Sequence, residues 1–130
     1  MATLFTKIVK GEIPCYKIAE NDDFFAFLDI NQFAKGHTLV IPKKEGDYIF
    51  DLDEKTYTAY QLYARKIALA IEKAIPCKRI ATAVIGLEVP HTHIHLVPIQ
   101  KEDDMNFAKN NVQISSKEME DIAMAIRKEL

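Results

Sequence analysis

Apolar residues along the chain fall into short blocks whose spacing switches between helical and extended. Leu4-Phe5-x-x-Ile8-Val9 has helical spacing and ends at Lys10-Gly11, which predicts a short helix with a glycine exit. Pro14 opens an extended segment, Cys15 to Ala19. The turn cluster Asn21-Asp22-Asp23 and the apolar run Phe24 to Leu28 complete a predicted antiparallel hairpin. A polar connection from Asp29 to His37 leads into Thr38-Leu39-Val40-Ile41, a strand ended by Pro42 and expected to be buried on both faces. From about Leu52 to Ile75, apolar residues recur at Tyr60, Tyr63, Ile67, Ile71 and Ala74-Ile75. That stripe predicts a long helix, with Asp53 or Asp51 as its cap and Pro76 as its stop. Ile80 to Ile85 is rich in β-forming residues, Gly86 to Pro90 reads as a loop, and His91 to Ile99 alternates as a strand does. After a polar stretch from Gln100 to Asn111, Ser115-Ser116-Lys117-Glu118 is a capping box. It opens a final helix with Met119, Ile122, Ala123 and Ile126 on one face. This order predicts an α+β domain built on a mainly antiparallel sheet.

A length of 130 residues fits one domain over the whole chain, 1–130. With 48% hydrophobic residues and a net charge of −2, disorder is not expected. The balance of 17 basic against 19 acidic residues lacks the electrostatic footprint of a nucleic-acid polymer binder, though a small nucleotide remains compatible. No apolar run reaches membrane-spanning length, and Lys7 and Lys10 interrupt the N-terminus before a signal-peptide core forms. Cys15 and Cys77 stand alone, without metal or disulfide spacing. The expected compartment is the cytoplasm.

Candidate chemistry concentrates at His91-Thr92-His93-Ile94-His95, which holds three of the four histidines. On a strand, residues two apart share a face, so the three imidazoles are expected to line up together. Three readings stay open on spacing alone. The histidines decorate a solvated strand face; or an H-x-H pair binds zinc, although three alternating positions span about 13 Å, a poor fit to one tetrahedral ion; or a neutral imidazole attacks phosphorus. The last needs a neighbour to fix the tautomer and donors for the phosphoryl oxygens, which further histidines supply.

His91-Thr92-His93-Ile94-His95-Leu96-Val97 resembles the histidine triad (HIT) motif, with Thr92 in place of the first apolar residue. Phe5-Thr6-Lys7-Ile8-Val9 and Glu12-Ile13-Pro14 resemble that family's opening. Phe27-Leu28-Asp29-Ile30 followed by His37-Thr38-Leu39-Val40-Ile41-Pro42-Lys43-Lys44 resembles its central signature. The matches run in order from about residue 4 to residue 98, with 115–130 as a C-terminal helix. The resemblance implies a HIT-like fold: a five-stranded, mainly antiparallel sheet, one long helix, and short N-terminal and C-terminal helices, usually in a homodimer. It also implies a nucleotidyl hydrolase or transferase, of nucleoside phosphoramidase type, acting at the α-phosphate of a purine nucleotide. In that reading His93 is the nucleophile, His91 orients its ring, His95 bonds the phosphate oxygens, and His37 completes the network. Asp29 accepts from the ribose hydroxyls, and Phe5, Ile8, Phe27, Ile30 and Leu39 form the slot for the base. A binding module that keeps the pocket without turnover is the alternative.

Departures from the family pattern add further expectations. Some relatives bind structural zinc through two N-terminal cysteines; Thr3 and Thr6 stand at those positions, and Glu45 stands where a further zinc-binding histidine falls. No metal and no cofactor is therefore expected. The loop before the triad is short, and the usual Gly-Gln-Ser/Thr-Val appears as Gly86-Leu87-Glu88-Val89. The resemblance puts Glu88 where relatives carry a small hydroxyl near the leaving group; there its charge disfavours a polyphosphate and favours an amine, the alternative being a glutamate that simply turns into solvent. The first placement predicts a preference for phosphoramidates or small esters over dinucleoside polyphosphates.

Overall fold

The structure is a computed structural model that describes residues 2–108 and 111–130; Met1 and, within the expected polar stretch, Lys109 and Asn110 lie outside the described residues. Helix α1 (Leu4–Val9) is followed by strands β1 (Lys17–Glu20), β2 (Phe24–Leu28) and β3 (Thr38–Pro42), then by the long helix α2 (Glu54–Ala74). Strands β4 (Arg79–Ala83) and β5 (Ile94–Ile99) and helix α3 (Ser116–Arg127) complete the order. Two short 3-10 turns, Ile49–Asp51 and Glu102–Met105, were not predicted; each is too short to show a period in the sequence. The five strands form one sheet in the order β1-β2-β3-β5-β4, every pairing antiparallel. The α+β class and the expected elements are therefore present.

Local signals set the helix ends. Thr3 caps α1 by accepting from the Thr6 N–H, Asp53 caps α2 by accepting from Thr56, and Ser115 caps α3 by accepting from Glu118. Past α1, Gly11 adopts φ +79°, the left-handed exit that a side chain disfavours. Asn21 closes the β1–β2 turn by accepting from the N–H groups of Asp23 and Phe24.

Alternation in the strands sends two sets of side chains to opposite faces. Phe24, Ala26, Leu28, Val40, Ile94 and Leu96 meet the buried stripes of α2 and α3 in the main core. Ile67 and Ile71 of α2 are wholly buried there, each contributing about 2 kcal/mol of hydrophobic stabilisation. Tyr60 gives its hydroxyl proton to the Val40 carbonyl at 2.6 Å, which pins α2 against β3. On the other face, Phe25, Phe27, Leu39 and Ile41 pack with Phe5 and Ile8 of α1. This double coverage explains why β2 and β3 are buried throughout. The register places Leu39 directly opposite His95. The face carrying α1 thereby holds the histidines.

Candidate active site

β5 begins at Ile94, not at His91, which corrects the expected strand. Thr92 gives both its backbone N–H and its hydroxyl to the Gly46 carbonyl, at 2.7 and 3.0 Å, and the His91 N–H bonds the Val89 carbonyl at 2.8 Å. Those bonds divert the chain from the ladder just before Ile94. The expected row of three equivalent imidazoles is corrected with it. His93 and His95 meet edge to face with centroids 5.1 Å apart, while the His91 ring is fully buried and anchored elsewhere. Its Nε2 lies 2.7 Å from the Pro42 carbonyl oxygen, which can only accept, so Nε2 carries the proton. Its Nδ1 then accepts from the Thr3 hydroxyl at 2.7 Å. Burial is the main force holding the His91 pKa below its ordinary value.

The same reasoning assigns the other rings. His93 Nδ1 lies 2.8 Å from the His91 carbonyl oxygen and must donate to it, leaving the lone pair on Nε2. The hydrogen bond between His91 and His93 is thus made by the His91 backbone carbonyl, while the His91 imidazole bonds Thr3 and Pro42. Phe5 packs edge to face on His91 and His93, at 5.7 and 5.1 Å. His37 Nδ1 accepts from the Phe33 N–H at 3.1 Å, so its Nε2 carries a proton and donates to His95 Nδ1 at 2.9 Å. His95 Nε2 must in turn bear a proton. The chain from Phe33 through His37 to His95 therefore ends in a donor beside His93. Desolvation pushes His37 down to about 3 and His95 down to about 4, so both rings are neutral at pH 7.

Asp29 sits where β2 ends, with Oδ2 3.6 Å from His37 Nε2 and Oδ1 accepting from the Asn31 N–H at 2.9 Å. Burial raises its pKa, partly offset by the Asn31 bond. Ile30, just past that turn, is 75% exposed and stands outside the buried apolar cluster that holds the other four residues expected in the slot. Phe5, Ile8, Phe27 and Leu39 do form one cluster beneath the histidines. Glu88 is exposed in the loop before His91, with Leu87 beside it 89% exposed. A cavity of about 330 Å³ borders His93, with Tyr48, Phe50, Val84 and Ile85 among its walls.

Three groups were not singled out from the sequence. Gln32 is buried and staples the 29–37 connection. Its amide NH₂ donates to the His37 carbonyl at 2.7 Å, and its amide oxygen accepts from the N–H groups of Gly36 and His37. Gly36, at φ +98°, lies so close to the sheet that a Cβ would stand 3.0 Å from Pro98 Cγ. Phe33 stacks parallel to His95 at 6.0 Å, and Phe107 meets both rings edge-on, at 4.4 Å from Phe33 and 5.2 Å from His95. Nothing in the surrounding polar segments marks either phenylalanine as a site residue.

Asp29, His37 and His95 place one potential ligand atom each within 4.8 Å of one another. The proton on His37 Nε2 points into that space, and losing it would require His37 to give up the Phe33 bond, so the donor set does not fit a metal ion as arranged. The zinc positions implied by the resemblance hold two hydroxyls and the Glu45 carboxylate beside His91. Threonine hydroxyls are not among the usual zinc ligands, and these are engaged in hydrogen bonds. They do not fit zinc either.

An imidazole with a free lone pair, a neutral donor chain and a half-buried carboxylate over an apolar floor define a site for transfer at an anionic centre. The HIT domain family matches residues 10–102, and the chain belongs to that family. It is 34% identical to an uncharacterised HIT-like protein of Borreliella burgdorferi over 95% of this chain and 94% of that one. It is 35% identical to the adenosine 5'-monophosphoramidase HNT1 of Saccharomyces cerevisiae, over 78% of this chain and 65% of that one. A crystal structure of a Hit-like protein from Bartonella henselae superposes with a TM-score of 0.85 at 33% identity, covering 98% of this chain and 96% of that one. Among the described residues, no helix is long and apolar enough to cross a membrane.

Proposed function

We propose that the protein hydrolyses a bond to the α-phosphorus of a purine nucleoside derivative through a nucleotidyl-His93 intermediate. The observation that carries this reading is the pair of fixed tautomers, with the His93 Nε2 lone pair set beside the His95 Nε2 proton. In the first step Nε2 forms a bond to phosphorus, the bond to the leaving group breaks, and that group departs with the electron pair and takes up a proton. In the second, water attacks phosphorus, the N–P bond breaks, and the ring regains its lone pair as the water's proton is released. His95 donates to the phosphoryl oxygen as negative charge builds there. Asp29 takes the ribose hydroxyls, and Phe5, Ile8, Phe27 and Leu39 support the base. Related proteins named as adenosine 5'-monophosphoramidases, from two yeasts, and an adenylylsulfatase, from Arabidopsis thaliana, support this substrate class. A burst of leaving group, with nucleotidyl-protein trapped on acid quench, is expected. Tight nucleotide binding with neither would establish the non-catalytic binding module instead.

Glu88 biases the leaving group. Its exposed carboxylate repels a polyphosphate and attracts an amine, an effect on the order of 1 kcal/mol when solvated. The ratio of kcat/KM for an adenosine phosphoramidate over a diadenosine polyphosphate is expected to exceed one and to fall several-fold in Glu88→Ser. An unchanged ratio, or a wild type that prefers the polyphosphate, rejects this part of the reading.

The assembly belongs to the same proposal. β4 is an edge strand, and Leu62, Leu69, Val84, Ile85 and Leu87 are exposed on α2 and after β4. Two copies joined there would remove an unpaired edge and an apolar surface from water. Sedimentation is expected to give twice 14.8 kDa, and a monomer at micromolar concentration contradicts it. Cys15 and Cys77 are both free, in keeping with a reducing compartment, the cytoplasm.

A further inference from the structure

We propose that the Thr3 hydroxyl is a positioning residue for transfer at His93, acting through the His91 ring; its part in turnover rests on the nucleotidyl-histidine reading above. One oxygen serves two ends. As the cap of α1 it accepts from the Thr6 N–H at 3.0 Å, and its own proton faces His91 Nδ1 at 2.7 Å. The Thr6 hydroxyl, 3.1 Å away, spends its proton on Glu45 Oε1 at 2.9 Å. The His91 ring is wholly enclosed, so its Nδ1 lone pair needs a donor inside the protein, and Thr3 is that donor.

The Pro42 carbonyl at the end of β3, which can only accept, fixes the proton on Nε2, and the Thr3 hydroxyl meets the Nδ1 lone pair that this leaves. The ring is then held from both sides, by the start of α1 and by the end of the sheet. The backbone of the same residue presents the carbonyl that takes the His93 Nδ1 proton and aims its Nε2. Without the hydroxyl, His91 keeps its proton on Nε2 for Pro42 and leaves a buried Nδ1 lone pair unmet, so the ring is held from one side only. The ring then moves toward a new donor, and the carbonyl that orients the nucleophile shifts with it. Thr3 thus ties α1 to the reacting ring by hydrogen bonds, at a place where the donor set does not fit a metal clip.

The test uses the p-nitrophenyl ester of adenosine 5'-monophosphate and follows the burst of p-nitrophenolate. Thr3→Val is expected to slow the burst about tenfold, with the half-saturating concentration changed less than twofold, since misaiming acts on the reacting geometry rather than on binding. Thr3→Ser, which keeps the hydroxyl, restores the rate to within twofold. Because valine also removes the cap of α1, the substitution is repeated in a His91→Ala background. A residue acting through the His91 ring has nothing further to lose there, whereas a lost helix cap multiplies the damage. Nitrogen-15 NMR of the free protein reads the His91 Nδ1 directly, as a hydrogen-bonded acceptor in the wild type and displaced toward an unbonded acceptor in Thr3→Val, with Nε2 protonated in both. A wild-type burst rate in Thr3→Val, failure of Thr3→Ser to restore it, or independent effects of the two substitutions overturns the proposal. A wild type that forms no adduct rejects the nucleotidyl-histidine reading instead, and the NMR measurement then decides whether Thr3 governs the His91 ring.

Discussion

His93→Ala is expected to yield no nucleotidyl-protein and to lower turnover of an adenylate ester or phosphoramidate by a thousandfold or more, while the protein stays folded. The size follows from removing the attacking atom, for which neighbouring groups are poor substitutes. His95 Nδ1 is occupied by His37 and its Nε2 carries a proton, so it presents no lone pair to phosphorus. The His91 ring is enclosed and bonded at both nitrogens. Folding survives because the lost contacts are few: the edge contacts of the His93 ring with Phe5 and His95 and its Nδ1 bond to the His91 carbonyl. His91→Ala is expected to be milder, since alanine keeps the carbonyl that accepts from His93 Nδ1. Mass spectrometry of acid-quenched protein and steady-state rates check both variants. Near-wild-type turnover in His93→Ala, or an adduct carried on His95, contradicts the mechanism.

What the sequence made legible was mostly what local physics decides. The bounds of α1 and β2 and the caps at Asp53 and Ser115 follow from spacing and one hydrogen-bonding side chain each. Gathering His37, His93, His95 and Asp29 needed the family resemblance, because the β3–β5 register joins residues more than fifty positions apart. What stayed hidden depends on distant partners. The start of β5 is set by Gly46, which captures Thr92 from across the fold. Alternation in His-Thr-His cannot reveal that. Ile30 follows an apolar strand in sequence, but it lies in the turn that Asp29 closes on the Asn31 N–H and is exposed there. Gln32 and Phe33 lie in a connection whose composition reads as solvated, yet one amide closes that loop on itself and one ring stacks on His95. Thr3 was legible as an odd residue at a zinc position; its bond to His91 was not.

The neutral histidine pair carries the second large effect, on stability. Folding holds His37 at about 3 and His95 at about 4, against 6.5 for an ordinary histidine. Above pH 6.5 both are neutral in the folded and the unfolded chain, and the pair makes no pH-dependent contribution. As pH falls below 6.5, the unfolded chain takes up protons that the folded protein refuses, so unfolding becomes more favourable. The loss continues until the folded rings themselves titrate, near pH 4 and then pH 3. His91, lowered mainly by burial, acts in the same direction, whereas Asp29, raised by burial, binds its proton more readily when folded and opposes the trend. One pKa unit corresponds to about 1.4 kcal/mol and each ring refuses its proton over the two units from 6.5 to 4.5, so the loss between pH 7 and pH 4.5 is expected to be on the order of 5 kcal/mol before the opposing Asp29 contribution. Urea unfolding across that range, repeated with His95→Asn, measures it. The variant has lost one of the two refused protons and is expected to show a shallower dependence on pH. Equal slopes in the two proteins, or a wild type as stable at pH 4.5 as at pH 7, would mean that the buried pair is charged in the folded state and that the Phe33-His37-His95 donor chain is wrongly drawn.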